Sequence, residues 1–150
     1  MSDTTLELET FLPYRLNRLA DAVSRDFSSI YRDRHGMTRP EWRLLATLGQ
    51  YGTMTATEIG QHSSMHKTKV SRAVSALEKR GWLKREAHEA DRRLEQLTLT
   101  KGGETIYADI VPLALAFARR LETLMNPARY AEFDHGLERL ETELVSGKNA

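Results

Sequence analysis

The chain has 150 residues, 40% of them apolar and 29% charged, with a net charge of +1 and no cysteine. That is about one domain's length with an ordinary globular balance. It excludes disulfides, a thiolate metal site, a thiol nucleophile and a cysteine redox switch. The near-zero total charge argues against a surface that is basic all round, but it leaves room for a local basic patch. The polar, acidic residues 1–11 do not read as a signal peptide. The most apolar stretch, residues 106–117, contains Asp109 and Pro112 and is too short to span a bilayer. A soluble, cytoplasmic protein is expected.

In chain order, residues 8–34 read as one long helix, because Leu12, Leu16, Leu19, Val23, Phe27 and Ile30 recur every three or four positions. The stripe is long for a helix that only covers a small core, so part of it is expected to meet a partner chain. A second helix starts at Thr38, where Thr38 and Glu41 have capping-box spacing and Pro40 falls in the first turn. Trp42, Leu45 and Leu48 form its buried face, and Gly49 and Gly52 are expected to bracket the turn that ends it. Thr55 and Glu58 repeat the box and open a short helix over residues 56–62. Residues 67–80 form a fourth helix that stops at Gly81. The period then changes: residues 82–85 and 94–99 are short candidate strands, and the charged stretch between them is a hairpin tip. Thr100 caps a helix over residues 101–125, which Pro112 should kink. Asn126 and Pro127 open the last helix, with a stripe of Phe133, Leu137, Leu140 and Leu144. The order is mainly α: a winged helix-turn-helix between long N- and C-terminal helices. Residues 38–100 are the expected DNA-binding lobe, and residues 6–35 and 101–146 the expected helical dimerisation lobe.

Charge follows this division. Residues 62–93 hold nine basic and four acidic side chains, a local +5, while the remainder carries −4. At about 100° per residue, Val70, Ala73, Val74 and Leu77 share the core face of the fourth helix. Thr68, Arg72, Ser75 and Lys79 face outward, with Lys69 and Ser71 on the flanks and Glu78 toward the core edge. A cationic, small and hydroxylated face suits a major groove: Arg takes two guanine acceptors, Ser and Thr donate or accept, and Lys neutralises phosphate. An amphipathic surface helix without a partner would mix more Glu among its Lys. Arg92 and Arg93 lie near the hairpin tip, where an Arg can enter a minor groove, and Asp91 can hold a neighbouring guanidinium in one rotamer.

These residues resemble the MarR family of bacterial transcription regulators along nearly the whole chain. The most specific piece is the wing pattern DxRxxxxxLT, here Asp91, Arg93, Leu99 and Thr100, followed by Gly103 at LTxxG spacing. The segments 67–74, 77–81 and 38–48 also look like family patterns. One departure is His66, where many members carry a serine; Ser64 is then the expected cap of the recognition helix. The resemblance implies a homodimer that reads a pseudo-palindromic operator in double-stranded DNA. Thr68, Lys69, Ser71, Arg72 and Ser75 would face the groove, with Arg93 as the wing arginine and Asp91 as its orienter; Lys79 and Arg92 are added on charge. Leu12, Leu16, Leu19, Phe133, Leu137, Leu140 and Leu144 would line the dimer interface.

The resemblance also implies release from DNA by a small effector such as an aromatic acid, a phenol or an acyl-CoA thioester, bound near the first, second and fifth helices. Arg15, Tyr31, His35, Trp42 and Tyr107 are the candidates there. Each has a plainer reading, as core, interface rim or helix end. The five histidines show no metal-ligand spacing, and neither a metal nor another cofactor is expected. An enzyme is disfavoured: there is no Gly-rich phosphate loop, nucleophile elbow or HExxH. The other rivals are a winged helix used only for protein contact and a DNA binder without an inducer.

Overall fold

The computed structural model describes residues 4–146. They fall into two compact units that divide within one helix, between Val111 and Pro112.

In the first unit, a 3-10 turn over Leu8–Thr10 precedes helix α1, Leu12–His35. The expected start at residue 8 is therefore corrected. Phe11 is extended and Pro13 lies in the first turn, where the missing N–H costs nothing; further in it would break the hydrogen-bond ladder. Gly36 ends α1 at φ 65°, in the left-handed region. Helix α2 spans Arg39–Tyr51 and has the expected reciprocal cap. The Thr38 Oγ1 accepts from the Glu41 N–H at 3.4 Å, and Glu41 Oε2 accepts from the Thr38 N–H at 3.2 Å. Gly49 does not flank a turn but sits inside α2. A Cβ there would lie 2.5 Å from the Tyr107 ring, so the glycine admits a close aromatic neighbour.

Thr55 and Glu58 cap α3, Ala56–Ser63, in the same reciprocal way. Helix α4 spans Lys67–Lys79. Its cap is His66, whose Nδ1 accepts the Thr68 N–H at 3.3 Å. Ser64 cannot serve, because it occupies the left-handed region at φ 56° and closes α3 instead. Three strands follow the pattern β1 Met54–Thr55, β2 Leu83–Ala87 and β3 Glu95–Leu99. They form an antiparallel sheet in the order β1-β3-β2, with Leu83 opposite Leu99 and Ala87 opposite Glu95. Trp82 precedes β2 rather than starting it, and β1 is too short for period-2 alternation to reveal it.

The core of this unit joins Tyr31 and Met37 to Leu44, Leu45, Ile59, Leu77, Leu97 and Ile110, all essentially solvent-free. Burying each such aliphatic side chain contributes about 1.5–3 kcal/mol, which locks the helix-turn-helix onto the sheet. Helix α5, Lys101–Met125, is opened by Thr100, whose Oγ1 accepts the Gly103 N–H at 3.2 Å. Toward the N-terminal end of α1, Leu12, Leu16 and Leu19 are exposed.

The second unit holds the rest of α5, which runs unbroken through Pro112, and α6, Pro127–Leu144. Asn126 caps α6 through Oδ1 and the Arg129 N–H at 3.1 Å. No residue of α6 is buried; Phe133, Leu140 and Leu144 are exposed and Leu137 is half-buried. No helix among the described residues is long and apolar enough to cross a membrane.

Candidate nucleic-acid interface

The expected division of α4 into two faces holds. Val70, Ala73, Val74 and Leu77 are buried, while Thr68, Lys69, Ser71, Arg72, Ser75 and Lys79 are exposed. Glu78 differs from expectation. It is exposed rather than at the core edge, and it accepts the Arg85 Nε–H at 3.1 Å.

The wing tip between β2 and β3 is an ordered turn. The Leu94 N–H donates to the Asp91 carbonyl at 3.0 Å and the His88 N–H to the Leu94 carbonyl at 2.9 Å. His88 Nδ1 accepts the N–H groups of Ala90 and Asp91 at 3.1 and 3.2 Å. Asp91 then grips Arg93 with both oxygens. Oδ1 accepts from the Arg93 backbone N–H and Nε, each at 3.1 Å, and Oδ2 accepts from Nη2 at 3.2 Å. The Arg93 side chain, followed by its backbone N–H, holds the Asp91 carboxyl below the usual carboxylate range. The Arg93 side chain remains 90% exposed, so the pair adds little stability but fixes a guanidinium in space.

Between α3, α4 and the wing lies an open cleft of about 720 Å³. Lys67, Ser71, Arg92 and Arg93 line its polar side, and Met65, Val70 and Leu97 are part of its apolar floor. Thus Ser71, Arg92 and Arg93, from helix and wing, meet around one concave surface. Thr68, Lys69, Arg72, Ser75 and Lys79 lie on α4 outside that lining.

Sequence reasoning missed Arg85, His88 and Arg80. Arg85 reaches Glu78 and Glu95 Oε2, the latter at 3.2 Å, and Ser75 Oγ at 3.3 Å. Partial burial is the largest influence on its guanidinium and lowers its pKa, but Glu95 and Glu78 together outweigh it and the net shift is upward. Arg80 donates to the carbonyls of His35 and Gly36, the second at 2.8 Å, and stacks 4.8 Å over the Trp82 ring. It thereby ties the end of α4 to the end of α1. The signal for Arg85 was its place on an alternating strand with acids two strand positions and seven residues away; charge counting alone could not use it.

A model of the MarR family matches residues 37–94, the span from just before α2 to the wing. The HTH-type transcriptional regulator YwoH of Bacillus subtilis (strain 168) is 33% identical over 86 residues. Over residues 37–94 the chain is similar to the MarR family. The YwoH match covers 57% of this chain and 62% of YwoH, so the chain spans less than two thirds of that relative. A MarR/EmrR family transcriptional regulator from Acinetobacter sp. ADP1 superposes with a TM-score of 0.82 at 22% identity, covering 93% of this chain and 98% of that one. BpsR of Bordetella bronchiseptica, described for the regulation of its DNA binding by 6-hydroxynicotinic acid, superposes at 0.80 with 20% identity over 91% of this chain and 97% of its own. At these identities the likeness is one of fold.

The effector candidates occupy mixed surroundings within the first unit. Tyr31 is 1% exposed and stacks on half-buried Trp42, with centroids 5.8 Å apart, and Phe27 packs edge-on to both. His35 Nε2 lies 2.8 Å from Asp109 Oδ2, and Arg34 pairs with both Asp109 oxygens at 3.0 Å. Arg34 first, then His35, pull the Asp109 carboxyl down to about 2. Tyr107 packs on Gly49, and Arg15 is exposed on α1. Trp42 also lines a shallow hollow of about 250 Å³ with Arg43, Thr47 and His62. Among the described residues, no three His, Asp or Glu side chains are grouped to hold a metal ion.

Proposed function

We propose that the chain is a homodimeric, sequence-specific DNA-binding transcription regulator that represses until a small aromatic acid, a phenol or an acyl-CoA thioester releases it. Residues 38–100 act as the DNA-binding lobe, and residues 6–35 and 101–146 as the dimerisation lobe. The observation that carries the reading is the pairing of two presented surfaces. One is the outward face of α4, with Thr68, Lys69, Ser71, Arg72, Ser75 and Lys79; the other is the wing, where Asp91 aims Arg93 and Arg92 adds charge. Helix α4 enters a major groove, and Arg93 enters the adjoining minor groove, whose negative potential favours a guanidinium.

The exposed leucines of α1 and the stripe of α6 support the dimer, since long unpartnered apolar faces call for a second surface. The Bordetella protein's response to an aromatic acid supports the effector class. Arg15, Tyr31, His35, Trp42 and Tyr107 are the residues assigned to it.

The test is binding to duplex DNA across a salt series. Log affinity should fall against log salt by about 0.9 for each phosphate neutralised. A flat response would mean a module for protein contact. An effector is then sought by melting-temperature shift against phenolic acids and their CoA thioesters: a ligand at 100 times its Kd stabilises the folded state by about 2.7 kcal/mol.

A further inference from the structure

We infer that Arg85 is a positioning residue whose guanidinium ties the wing to the recognition helix and so sets where Arg93 stands relative to α4. The inference rests on the DNA-binding reading of this surface and assigns a role within it.

Helix α4 ends at Lys79 and β2 begins at Leu83, so the backbone fixes the root of the wing. The tip lies a strand's length away, about 17 Å at roughly 3.3 Å per residue, and the root alone gives weak control over it. Arg85 sits midway along β2, opposite Leu97. From there it donates to Ser75 and Glu78 on α4 and to Glu95, the first residue of β3. Ser75 and Glu78 are three apart on one helix face, and Glu95 follows Arg93 by two residues. One planar group thus spans helix and wing, and its fixed fork is pre-organised for several acceptors at once. A lysine's single ammonium on a flexible stem does not reproduce that geometry. The ion pairs are partly exposed, so each adds little to stability and their effect is on placement. Ser75 is engaged as well: its oxygen accepts from Arg85, and its own hydroxyl hydrogen is left to donate elsewhere.

The experiment compares Arg85→Ala and Arg85→Lys with the wild-type chain in two ways. In the free protein, amide hydrogen exchange should quicken at the far end of the hairpin, around residues 86–88 and 94–96. The pairing at Leu83 and Leu99 and the amides of α4 should keep their protection. Unchanged exchange at the far end overturns the clamp. In the second arm the probe is a duplex enriched by the wild-type chain from a random pool. Arg93→Ala should weaken binding to it by about tenfold, the size of a lost base-directed contact. Arg85→Ala should weaken it nearly as much, and adding Arg85→Ala to Arg93→Ala should cost no more than about twofold beyond Arg93→Ala alone, because coupled residues are not additive. Losses that multiply, or full rescue by Arg85→Lys, overturn the positioning role. If the wild-type chain enriches no duplex, the DNA reading itself falls, and hydrogen exchange alone decides the clamp.

Discussion

Gly103 gives the sharpest quantitative expectation. It is buried in the first turn of α5, and a Cβ placed on it would lie 2.1 Å from the Trp82 carbonyl oxygen and 3.3 Å from Leu99 Cβ. The obstacle is backbone at the root of the wing, so Gly103→Ala must push α5 and the 81–83 segment apart. The same Trp82 oxygen accepts the Thr100 N–H at 3.0 Å, and Thr100 Oγ1 donates to the Gly81 carbonyl at 2.6 Å. Overpacking costs about 1–3 kcal/mol, and weakening one such hydrogen bond about 0.5–1.5. Alanine returns roughly 1 kcal/mol of helix propensity. The net is a loss of about 2 kcal/mol, or a melting temperature lower by about 4–8 °C at this chain length. Gly102 is the control. A Cβ there meets nothing closer than 3.5 Å, so Gly102→Ala should be neutral or stabilise by up to about 1 kcal/mol. Both variants are followed by thermal unfolding at equal protein concentration, since any self-association would make the melting point depend on it. If Gly103→Ala melts at or above wild type, the close approach of α5 to Trp82 is wrong.

Other expectations concern the site and the interface. Arg72→Ala should lose about 1–3 kcal/mol of affinity for an enriched duplex and relax base preference at one position of each half-site; undiminished affinity would remove Arg72 from base reading. Asp109 is held at about 2 against an ordinary 3.8, so its pairing with Arg34 and His35 stabilises the fold above pH 3.8 and loses that effect as pH falls toward 2. Asp109→Asn should therefore flatten the acid dependence of the melting temperature in that window; an unchanged slope would refute the linkage. Leu16→Glu or Leu140→Glu should shift sedimentation at micromolar concentration from dimer toward monomer, and a dimer undisturbed by either would place the interface elsewhere.

Much of the fold was legible because its signals are local. Capping boxes at Thr38 and Thr55, the stop at Gly81 and the cap at Asn126 each specify an end by chemistry within four residues. The core face of α4 followed from helical period alone. What escaped depends on contacts across the chain. Gly49 sits inside α2 rather than at its end, and it lacks a side chain where the Tyr107 ring, 58 residues away, lies against it. Strand β1 exists because β3 offers it an edge, with Met54 opposite Leu97. The cap of α4 was misassigned because a serine looks like a better cap than a histidine; the left-handed backbone at Ser64 decides it. At the site, the identity of the α4 face and the Asp91–Arg93 pair was readable from spacing. The Arg85 clamp was not, since it joins residues from three elements that only the folded sheet brings together.

The place of β2 at the edge of the sheet has a consequence for how the protein behaves at high concentration. Among the described residues, its outer hydrogen-bonding side has no strand beside it in the order β1-β3-β2. A bare edge of that kind is a template on which another chain's strand can add. Here the strand is only five residues long, and four of them are exposed, including Lys84, Arg85 and Glu86. An incoming strand would have to bring its own backbone against this row of charge and shed the water that solvates it. The lysine and arginine of β2 therefore guard against sheet-to-sheet aggregation, quite apart from any attraction to a polyanion. Neutralising them to weaken nucleic-acid binding would also expose the chain to self-association, so solubility is the first property to check in such variants.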